Sequence, residues 1–407
     1  MQKSLRKHAA PAVLLAMLAG GALYARADVV TDWNVRAGEV MGEAKLGTPP
    51  AIRVMALVQT AVYTSASQAT AQGASVDAAV ASANRAVLAR LLPAQQASIE
   101  AAYRAALAPI AEGAEKAAGI AAGEAAAAAV LAQRADDMVA AAENYRPHTT
   151  AGAYVPTAAP AAPHWARRKP WLMAGPADVR PASPPALGSA AWARDYNEVK
   201  AVGAKASATR TPEQTEIAKF WEYSAPAIYT GIVRSVALQP GRDVVRNARL
   251  YAAVAQAMDD AMIGVFDAKY HHNFWRPVTA IRNGDIDAND ATERDAAWSS
   301  FVDSPMHPEY PSGHSILAAS VGAVLKAEAG AGPLALATSS PTAKGATRRW
   351  TSVDDFVREV AASRIYAGIH YRTATEAGVE MGNRIGAMAA ARHLRPQYST
   401  LTTEVSK

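Results

Sequence analysis

The chain has 407 residues, a formal net charge of +5 and no cysteine. The absence of cysteine excludes disulfides, thiol nucleophiles and thiolate metal sites. A chain of this length can bury a large hydrophobic core, which we expect to be organised as two packed units.

The first 27 residues have the pattern of a signal peptide. A basic stretch over 3–7 precedes an apolar run over 9–23, and residues 25–27 read Ala-Arg-Ala, the small-x-small pattern that a signal peptidase accepts. We therefore expect cleavage before Asp28 and export to the periplasm or the extracellular space. A transmembrane anchor is the alternative reading, but the apolar run is short for a bilayer span and contains helix-breaking residues.

Removal of residues 1–27 would take away four basic and no acidic residues, lowering the net charge from +5 to +1. A nearly neutral protein has no sequence-independent affinity for nucleic acid or anionic lipid. The rest of the chain has no uninterrupted apolar run of ~18 residues. We therefore expect a soluble protein that neither binds nucleic acid nor inserts stably into a membrane.

Helical periodicity dominates the remaining sequence. Apolar residues recur at helical spacing over 54–62, 99–107 and 251–262. Strand alternation with hairpin turns is nowhere convincing. The sequence therefore predicts an all-α fold.

Prolines interrupt this helical pattern between Arg146 and Ala190. Because proline removes a backbone donor and breaks helices, we predict a long extended connection over 146–190. It separates an N-terminal helical half, 28–145, from a C-terminal helical half, 191–407. Four residues suggest that the connection packs over another part of the protein: Trp165, Arg167, Arg168 and Trp171.

Three clusters in the C-terminal half are rich in the hydrogen-bond donors that bind oxyanions. The first runs from Lys269 to Arg276-Pro277. A spacing of seven returns to nearly the same helical face, so the two cations can converge, and Pro277 disfavours helix at Arg276. Two converging cations would repel each other unless an anion lay between them. A solvated basic face is the alternative, although the neighbouring Phe274 and Trp275 argue against simple exposure.

The second cluster is Tyr310-Pro311-Ser312-Gly313-His314, directly before an apolar run. A Pro-Ser-Gly turn that leads into a helix offers backbone N–H groups, a hydroxyl and the positive end of a helix dipole to an anion. His314 would stand at the rim with a pKa suited to proton transfer. The alternative is an ordinary helix N-cap.

The third cluster is Ser363-Arg364, followed six residues after the arginine by His370. It lies in a predicted helix capped by Thr351 or Ser352. We expect the helix to end near Gly368, which lets Arg364 and His370 both turn inward. The alternative for His370 is a buried histidine with satisfied hydrogen bonds.

The three clusters together resemble the signature shared by vanadium-dependent haloperoxidases and the type-2 phosphatidic acid phosphatase superfamily. The start of the chain after residue 27 and the Pro-rich stretch look like exported bacterial haloperoxidase-like proteins. The resemblance implies a soluble, all-helical fold with two four-helix-bundle-like halves. The cofactor it implies is vanadate, or bound phosphate if the protein is a phosphatase.

The resemblance also implies a role for each residue of the signature. Lys269, Arg276 and Arg364 would bind the oxyanion oxygens, and the Ser312 hydroxyl and the Gly313 amide would add hydrogen bonds. His370 would be the vanadium ligand or the phosphatase nucleophile, and His314 the general acid or base. His272, His307 and Trp275 are further candidates for lining the pocket.

Two positions bear on the activity within that family. The family pattern has an aspartate four residues after the histidine, which orients the imidazole, but this chain has Ala374. We therefore expect His370 to lose orientation and basicity, which would impair a nucleophilic histidine more than a coordinating one. His307 lies where bromoperoxidase-like members carry a histidine, which favours bromide or iodide over chloride; a loop histidine without a role is the alternative.

Three functions follow as hypotheses. The first is a vanadate-dependent peroxidase that oxidises a halide or sulfide with hydrogen peroxide. The second is an exported acid phosphatase that hydrolyses phosphoesters through a phosphohistidine, and the third is a non-catalytic oxyanion-binding protein.

The adjacent acids Asp259 and Asp260 suggest a metal pair, but without a third ligand we predict a solvated helix face. The sequence does not predict an oligomeric state.

Overall fold

The computed structural model describes residues 28–137, 145–330 and 332–394. The predicted signal peptide lies outside these residues. The described chain is mostly helical, which confirms the predicted all-α fold. Its α-helices are α1 Val29–Glu43, α2 Thr48–Gln72, α3 Val76–Leu91, α4 Gln96–Leu107, α5 Ala114–Gln133, α6 Ala190–Val202, α7 Pro212–Phe220, α8 Pro226–Ala237, α9 Val244–His272, α10 Pro277–Arg282, α11 Gly313–Ala329, α12 Val353–Tyr366 and α13 Arg372–His393.

Short polar side chains cap several of these helices. Asp28 accepts a hydrogen bond from Thr31 N (2.8 Å) at the start of α1, and Asp243 accepts one from Arg246 N (2.7 Å) at the start of α9. Such a cap satisfies a backbone N–H that has no partner within the helix. Asp28 also accepts a hydrogen bond from Asn247 Nδ2 (2.6 Å), which links the beginning of α1 to α9.

The N-terminal helices pack closely through small residues. A Cβ added at Gly123 of α5 would lie 2.4 Å from Ala79 O of α3. The alanine- and glycine-rich sequence of α5 therefore allows direct backbone contact with α3. On α2, the predicted apolar stripe over 54–62 is buried, and α2 packs against α9.

Helix α9 is the centre of the molecule. Most of its side chains from Asn247 to Lys269 are buried, and it contacts α2, α11 and α13. Glycines of α13 meet the backbone of α11: an added Cβ would lie 2.6 Å from Ser312 O at Gly378 and 2.3 Å from Ile316 O at Gly382. This close contact holds the beginning of α11 beside α13.

One short hairpin was not predicted from the sequence. Strands β1 Leu336–Ser339 and β2 Thr347–Trp350 pair antiparallel, with Leu336 opposite Trp350. Each strand has only four residues, too few for alternation to stand out in the sequence. No helix of the described residues is long and apolar enough to cross a membrane.

The Pro-rich connection contains two short 3-10 helices and no α-helix in its described part, and it packs on α9. The guanidinium of Arg168 donates to Asp259 Oδ1 (2.6 Å) and to Asp137 Oδ2 (2.8 Å). Asp260 accepts from Trp171 N (2.7 Å) and Leu172 N (2.8 Å). The prediction that Asp259 and Asp260 form a solvated face was wrong, because both are fully buried and bind the connection.

Candidate functional site: a buried cluster of cations around His370

Lys269 and Arg276 converge through a turn rather than along one helix. Helix α9 ends at His272, Asn273 adopts a left-handed conformation (φ 47°), and Arg276 is the extended N-cap residue of α10. Pro277 explains the extended Arg276, as predicted. The argument from helical spacing was wrong, because the helix ends before Arg276. The turn is held by hydrogen bonds to the Pro-rich connection, from Tyr154 N to Asn273 O (2.8 Å) and from Trp275 N to Gly152 O (2.9 Å).

The Pro-Ser-Gly turn leads into helix α11 as predicted. Ser312 is its N-cap residue and is fully buried, and its Oγ accepts a hydrogen bond from Ser315 Oγ (3.0 Å). Gly313 and His314 form the first turn and are partly buried. Ser312 can cap the helix and also lie in an anion-binding turn, because the positive end of the helix dipole is present in either case.

Arg364 and His370 belong to α12 and the turn that follows it. Ser352 caps α12, which ends at Tyr366, and Gly368 has a φ of 77°. A Cβ at Gly368 would lie 2.2 Å from Gly203 O, so both the conformation and the close contact require glycine. This turn directs His370 back toward Arg276.

The clusters meet around His370. Arg276 Nη1 lies 3.3 Å from His370 Nε2 and donates to Ile369 O (2.8 Å). Lys269 Nζ donates to the carbonyls of Pro308 (3.1 Å), Glu309 (2.8 Å) and Pro311 (2.5 Å), directly before Ser312. The four basic side chains of the cluster, Lys269, Arg276, Arg364 and His370, are each at most 2% exposed.

The environment disfavours positive charge at every basic group of the cluster. Burial, followed by repulsion from Arg276, lowers the pKa of Lys269 well below its usual range. Burial also lowers the pKa of Arg276 and that of Arg364 to about 10. Burial and the charges of Arg276 and Lys269 lower the pKa of His370 well below 6.5. His370 is therefore neutral at pH 7 and can offer a nitrogen lone pair.

Similar causes act on the other two histidines of the cluster. Burial and the charge of Arg364 lower the pKa of His314 well below 6.5, and burial with Lys269 lowers the pKa of His307 in the same direction. Each of these histidines is therefore neutral at neutral pH. Glu309 is the acidic group that opposes this effect, because it raises the pKa of both Lys269 and Arg276.

The fold is similar to that of known vanadium enzymes. The family model described as the VCPO second helical-bundle domain matches residues 249–397. Vanadium chloroperoxidase from Curvularia inaequalis is 30% identical over 34% of this chain, and the match spans only 28% of that protein. The crystal structure of the first bacterial vanadium-dependent iodoperoxidase has a TM-score of 0.77 and 24% identity, covering 90% of this chain and 96% of that chain.

The resemblance to the vanadium haloperoxidase superfamily is confirmed. An apo bacterial vanadium-dependent chloroperoxidase also superimposes, with a TM-score of 0.68 and 18% identity, over 86% of this chain and 95% of that chain. At these identities the solved structures show that the fold is shared.

Glu309 is the residue of the site that the sequence analysis missed. Its Oε1 accepts from His370 Nδ1 (2.7 Å) and from Tyr371 N (3.0 Å), and its side chain is fully buried. Burial raises the pKa of Glu309 to about 8, against the opposing influence of Arg276 and Lys269. The expectation that His370 lacks an orienting carboxyl group was therefore wrong, although Ala374 does depart from the pattern of the vanadium haloperoxidase superfamily.

In the sequence, only its position just before the Pro-Ser-Gly turn pointed to a role for Glu309. An acid lies between His307-Pro308 and Tyr310-Pro311, within a stretch already identified as part of the site. The family pattern places the orienting carboxylate after His370, at the position of Ala374, whereas Glu309 lies 61 residues before His370. Ala374 instead accepts a hydrogen bond from Ser312 N (2.9 Å) through its carbonyl.

The three further pocket candidates lie at different places. His307 Nδ1 is 2.9 Å from Arg276 Nη2, and the ring packs edge-on against Phe266. His272 Nε2 lies 3.2 Å from Pro181 O, and its ring packs edge-on against Tyr310. Trp275 is buried and stacks on Trp192, with ring centroids 5.9 Å apart.

The donors of the site fit an oxyanion such as vanadate. Among the described residues, Arg364 Nε and His314 Nε2 are buried atoms without a hydrogen-bond partner. No group of three His, Cys, Asp or Glu in the described chain could hold a metal ion directly. A site made of cations, amides and a neutral imidazole suits an anion, and in vanadate the metal arrives as part of that anion.

Proposed function

We propose that this protein is a vanadate-dependent, haloperoxidase-like enzyme that uses hydrogen peroxide to oxidise a halide or a sulfide. The observation that carries the proposal is the convergence of Lys269, Arg276 and Arg364 around neutral His370. Burial disfavours positive charge on all three basic groups, and a bound anion would stabilise that charge. Vanadate bound there would supply an electrophilic centre that activates peroxide.

Each residue of the site has a role in the proposal. His370 Nε2 would bind vanadium. Arg364 would donate from its unpartnered Nε to an oxygen of the anion, and Arg276 would donate from the Nη1 N–H that faces His370 Nε2. The Ser312 hydroxyl and the Gly313 amide would add two more. Lys269 would contribute mainly its charge, since its N–H donors bind three backbone carbonyls.

His314 is proposed as the proton-transfer residue. Its Nε2 is buried without a partner, and its neutral state follows from burial and the charge of Arg364. A bound anion would offset Arg364 and raise the affinity of His314 for a proton. His314 would therefore act as a base before it acts as an acid.

The halide preference and the location of the enzyme belong to the same proposal. His307 contacts Arg276 directly, and we propose that this histidine favours bromide or iodide over chloride. The proposed partners are small molecules: peroxide and a halide or sulfide. The basic, apolar and small-residue pattern over 3–27 supports export to the periplasm or beyond.

An acid phosphatase is the second candidate, and Glu309 favours it. A nucleophilic histidine needs an orienting group on its other ring nitrogen, and Glu309 contacts His370 Nδ1. Ala374 therefore does not argue against a phosphohistidine intermediate. The soluble haloperoxidase fold of the relatives still favours the peroxidase.

Two assays with opposite responses to vanadate test the proposal. The purified protein is stripped of phosphate and vanadate. Bromide oxidation with peroxide and hydrolysis of a phosphomonoester are then measured, each with and without orthovanadate. For a peroxidase, vanadate switches on bromide oxidation and excess phosphate suppresses it. Matched His370→Ala and His393→Ala variants separate the site from other histidines, because His393 contacts Gln256 instead.

The alternatives give different results. A phosphatase hydrolyses the ester unaided and is inhibited by vanadate, which mimics the pentacoordinate transition state. Vanadate binding without either activity would indicate an oxyanion-binding protein. Hydrolysis without any peroxidase activity contradicts the first proposal.

A further inference from the structure

Glu309 joins two segments of the site to His370. Its Oε1 accepts from His370 Nδ1 and from Tyr371 N, its carbonyl accepts from Lys269 Nζ (2.8 Å), and its backbone N donates to Phe274 O (2.8 Å). The side chain is completely buried. A displacement of Glu309 would therefore move His370 together with the end of α9, which carries Lys269, and the turn after it.

The hydrogen bonds determine which nitrogen of His370 carries the proton. Arginine can only donate, so Arg276 Nη1, 3.3 Å away, requires an unprotonated Nε2 on the neutral imidazole. The proton then lies on Nδ1 and is donated to Glu309. Glu309 Oε1 also accepts from Tyr371 N, so it is an acceptor toward both partners.

We propose that Glu309 is the positioning residue of His370, which holds the Nδ1–H tautomer and directs the Nε2 lone pair to the oxyanion. Glu309 comes from the segment before α11 and takes a place that Ala374, on α13, cannot fill. The proposal rests on His370 being the oxyanion ligand. Partners of this kind fix ring orientation in metal sites, and their loss weakens metal binding ~10–100-fold.

Two conservative variants separate the effect of side-chain length at Glu309 from the effect of its ionisation. Glu309→Gln keeps the length of the side chain and its acceptor oxygen but cannot ionise. Tyr371 N–H selects the orientation of the amide in which the oxygen faces His370. Glu309→Asp keeps the charge but is one methylene shorter. Glu328→Gln is the matched control, because it changes a buried carboxylate that pairs with Arg242.

The experiment measures the tautomer and the anion affinity separately. ¹⁵N NMR of histidine-labelled full-length protein, with His370→Ala for assignment, reports the tautomer of His370 without vanadate. Titration with orthovanadate reports the dissociation constant, and thermal unfolding verifies that each variant is folded. We expect Glu309→Gln and Glu328→Gln to keep the Nδ1–H tautomer of His370 and a vanadate affinity within ~10-fold of wild type. Glu309→Asp should lose the fixed tautomer and bind vanadate ~10–100-fold more weakly.

Two results would overturn the positioning role. One is a Glu309→Asp variant with the wild-type tautomer and affinity. The other is a loss of affinity in Glu309→Gln with an unchanged tautomer, which would assign the effect to charge. If wild-type protein binds no vanadate, the proposed function fails, whereas the NMR comparison still tests the contact between Glu309 and His370.

Discussion

At the scale of single residues, the site combines buried positive charge with neutral histidines. Arg276 contacts both His370 and His307, and Arg364 Nε and His314 Nε2 are buried without hydrogen-bond partners among the described residues. Leaving buried polar groups unpaired is unfavourable; an acceptor oxygen of an anion would satisfy Arg364 Nε, and an unprotonated His314 Nε2 would accept a hydrogen bond from a protonated oxygen. The residue-scale predictions therefore concern anion binding and proton transfer.

The first prediction concerns anion affinity. His370→Ala should eliminate vanadate binding, because the only protein ligand in the proposed site is removed. Ser312→Ala should weaken binding by ~1–3 kcal/mol, as expected for a hydrogen bond to a charged group. Equilibrium titration with orthovanadate measures both effects, with His393→Ala as control. Wild-type affinity in both site variants would contradict the assignment.

The second prediction concerns His314. His314→Ala should still bind vanadate but lose ~10²–10⁴-fold of turnover, because proton transfer is removed while the cations remain. Steady-state kinetics and vanadate titration on the same sample separate these effects. Because His314 must be deprotonated to act as a base, turnover of the wild type should fall as the pH drops through the pKa of His314 in the vanadate-bound enzyme. Unchanged turnover would exclude His314 from the mechanism.

At the scale of elements, glycine contacts between α13 and α11 place the Pro-Ser-Gly turn. Gly378 and Gly382 of α13 meet the carbonyls of Ser312 and Ile316, at distances that leave no room for a Cβ. The carbonyl of Ala374 then binds Ser312 N. The position of the Ser312 turn thus depends on how closely two helices approach.

The third prediction tests this helix contact. Gly382→Ala would place a Cβ 2.3 Å from Ile316 O, so the helices must separate, at a cost of about 1–3 kcal/mol of unfolding free energy. Vanadate affinity should fall as well. Gly42→Ala in α1 is the control: nothing lies within 4 Å of its added Cβ, so it should be neutral or stabilising. Urea denaturation measures both variants, and equal stabilities would contradict the packing argument.

At the scale of the whole molecule, α9 connects all parts of the described chain. It packs against α2 of the N-terminal half, contributes Lys269 to the site and holds the Pro-rich connection through Asp259 and Asp260. The connection in turn binds the turn that carries Arg276, through Tyr154 N and Gly152 O. The buried ion cluster on α9 therefore supports the site from a distance.

The fourth prediction concerns this ion cluster. Arg168→Ala should lower the unfolding free energy by ~3–5 kcal/mol, because the buried carboxylate of Asp259 would lose its closest cation and Asp137 would keep only Arg53, at 2.9 Å, as a close partner. Arg358→Ala, which breaks an exposed pair with Asp355, should change stability little. Chemical denaturation compares the two variants. If both variants lowered the unfolding free energy by a similarly small amount, burial would add nothing to the pairing of Arg168 with Asp259 and Asp137.

Much of the fold and most of the site residues could be predicted from the sequence. The apolar stripes, the proline-rich interruption and the capping residues are local properties, so they predicted helices and their limits. The resemblance of three clusters to the vanadium haloperoxidase signature grouped Lys269, Arg276, Ser312, Arg364 and His370 as members of one site. Local order along the chain was sufficient to predict the helices and their limits, because each limit depends on neighbours within a few residues.

Only the tertiary structure decided how these residues meet. Asp259 and Asp260 are buried because the connection folds over α9, and Lys269 reaches Arg276 through a turn rather than a helical face. Glu309 contacts His370 although 61 residues separate them, while Ala374, the position at which the sequence pattern places the carboxylate, supplies a backbone carbonyl to Ser312. Contacts between distant segments depend on how whole helices pack, and spacing along the chain does not encode that arrangement.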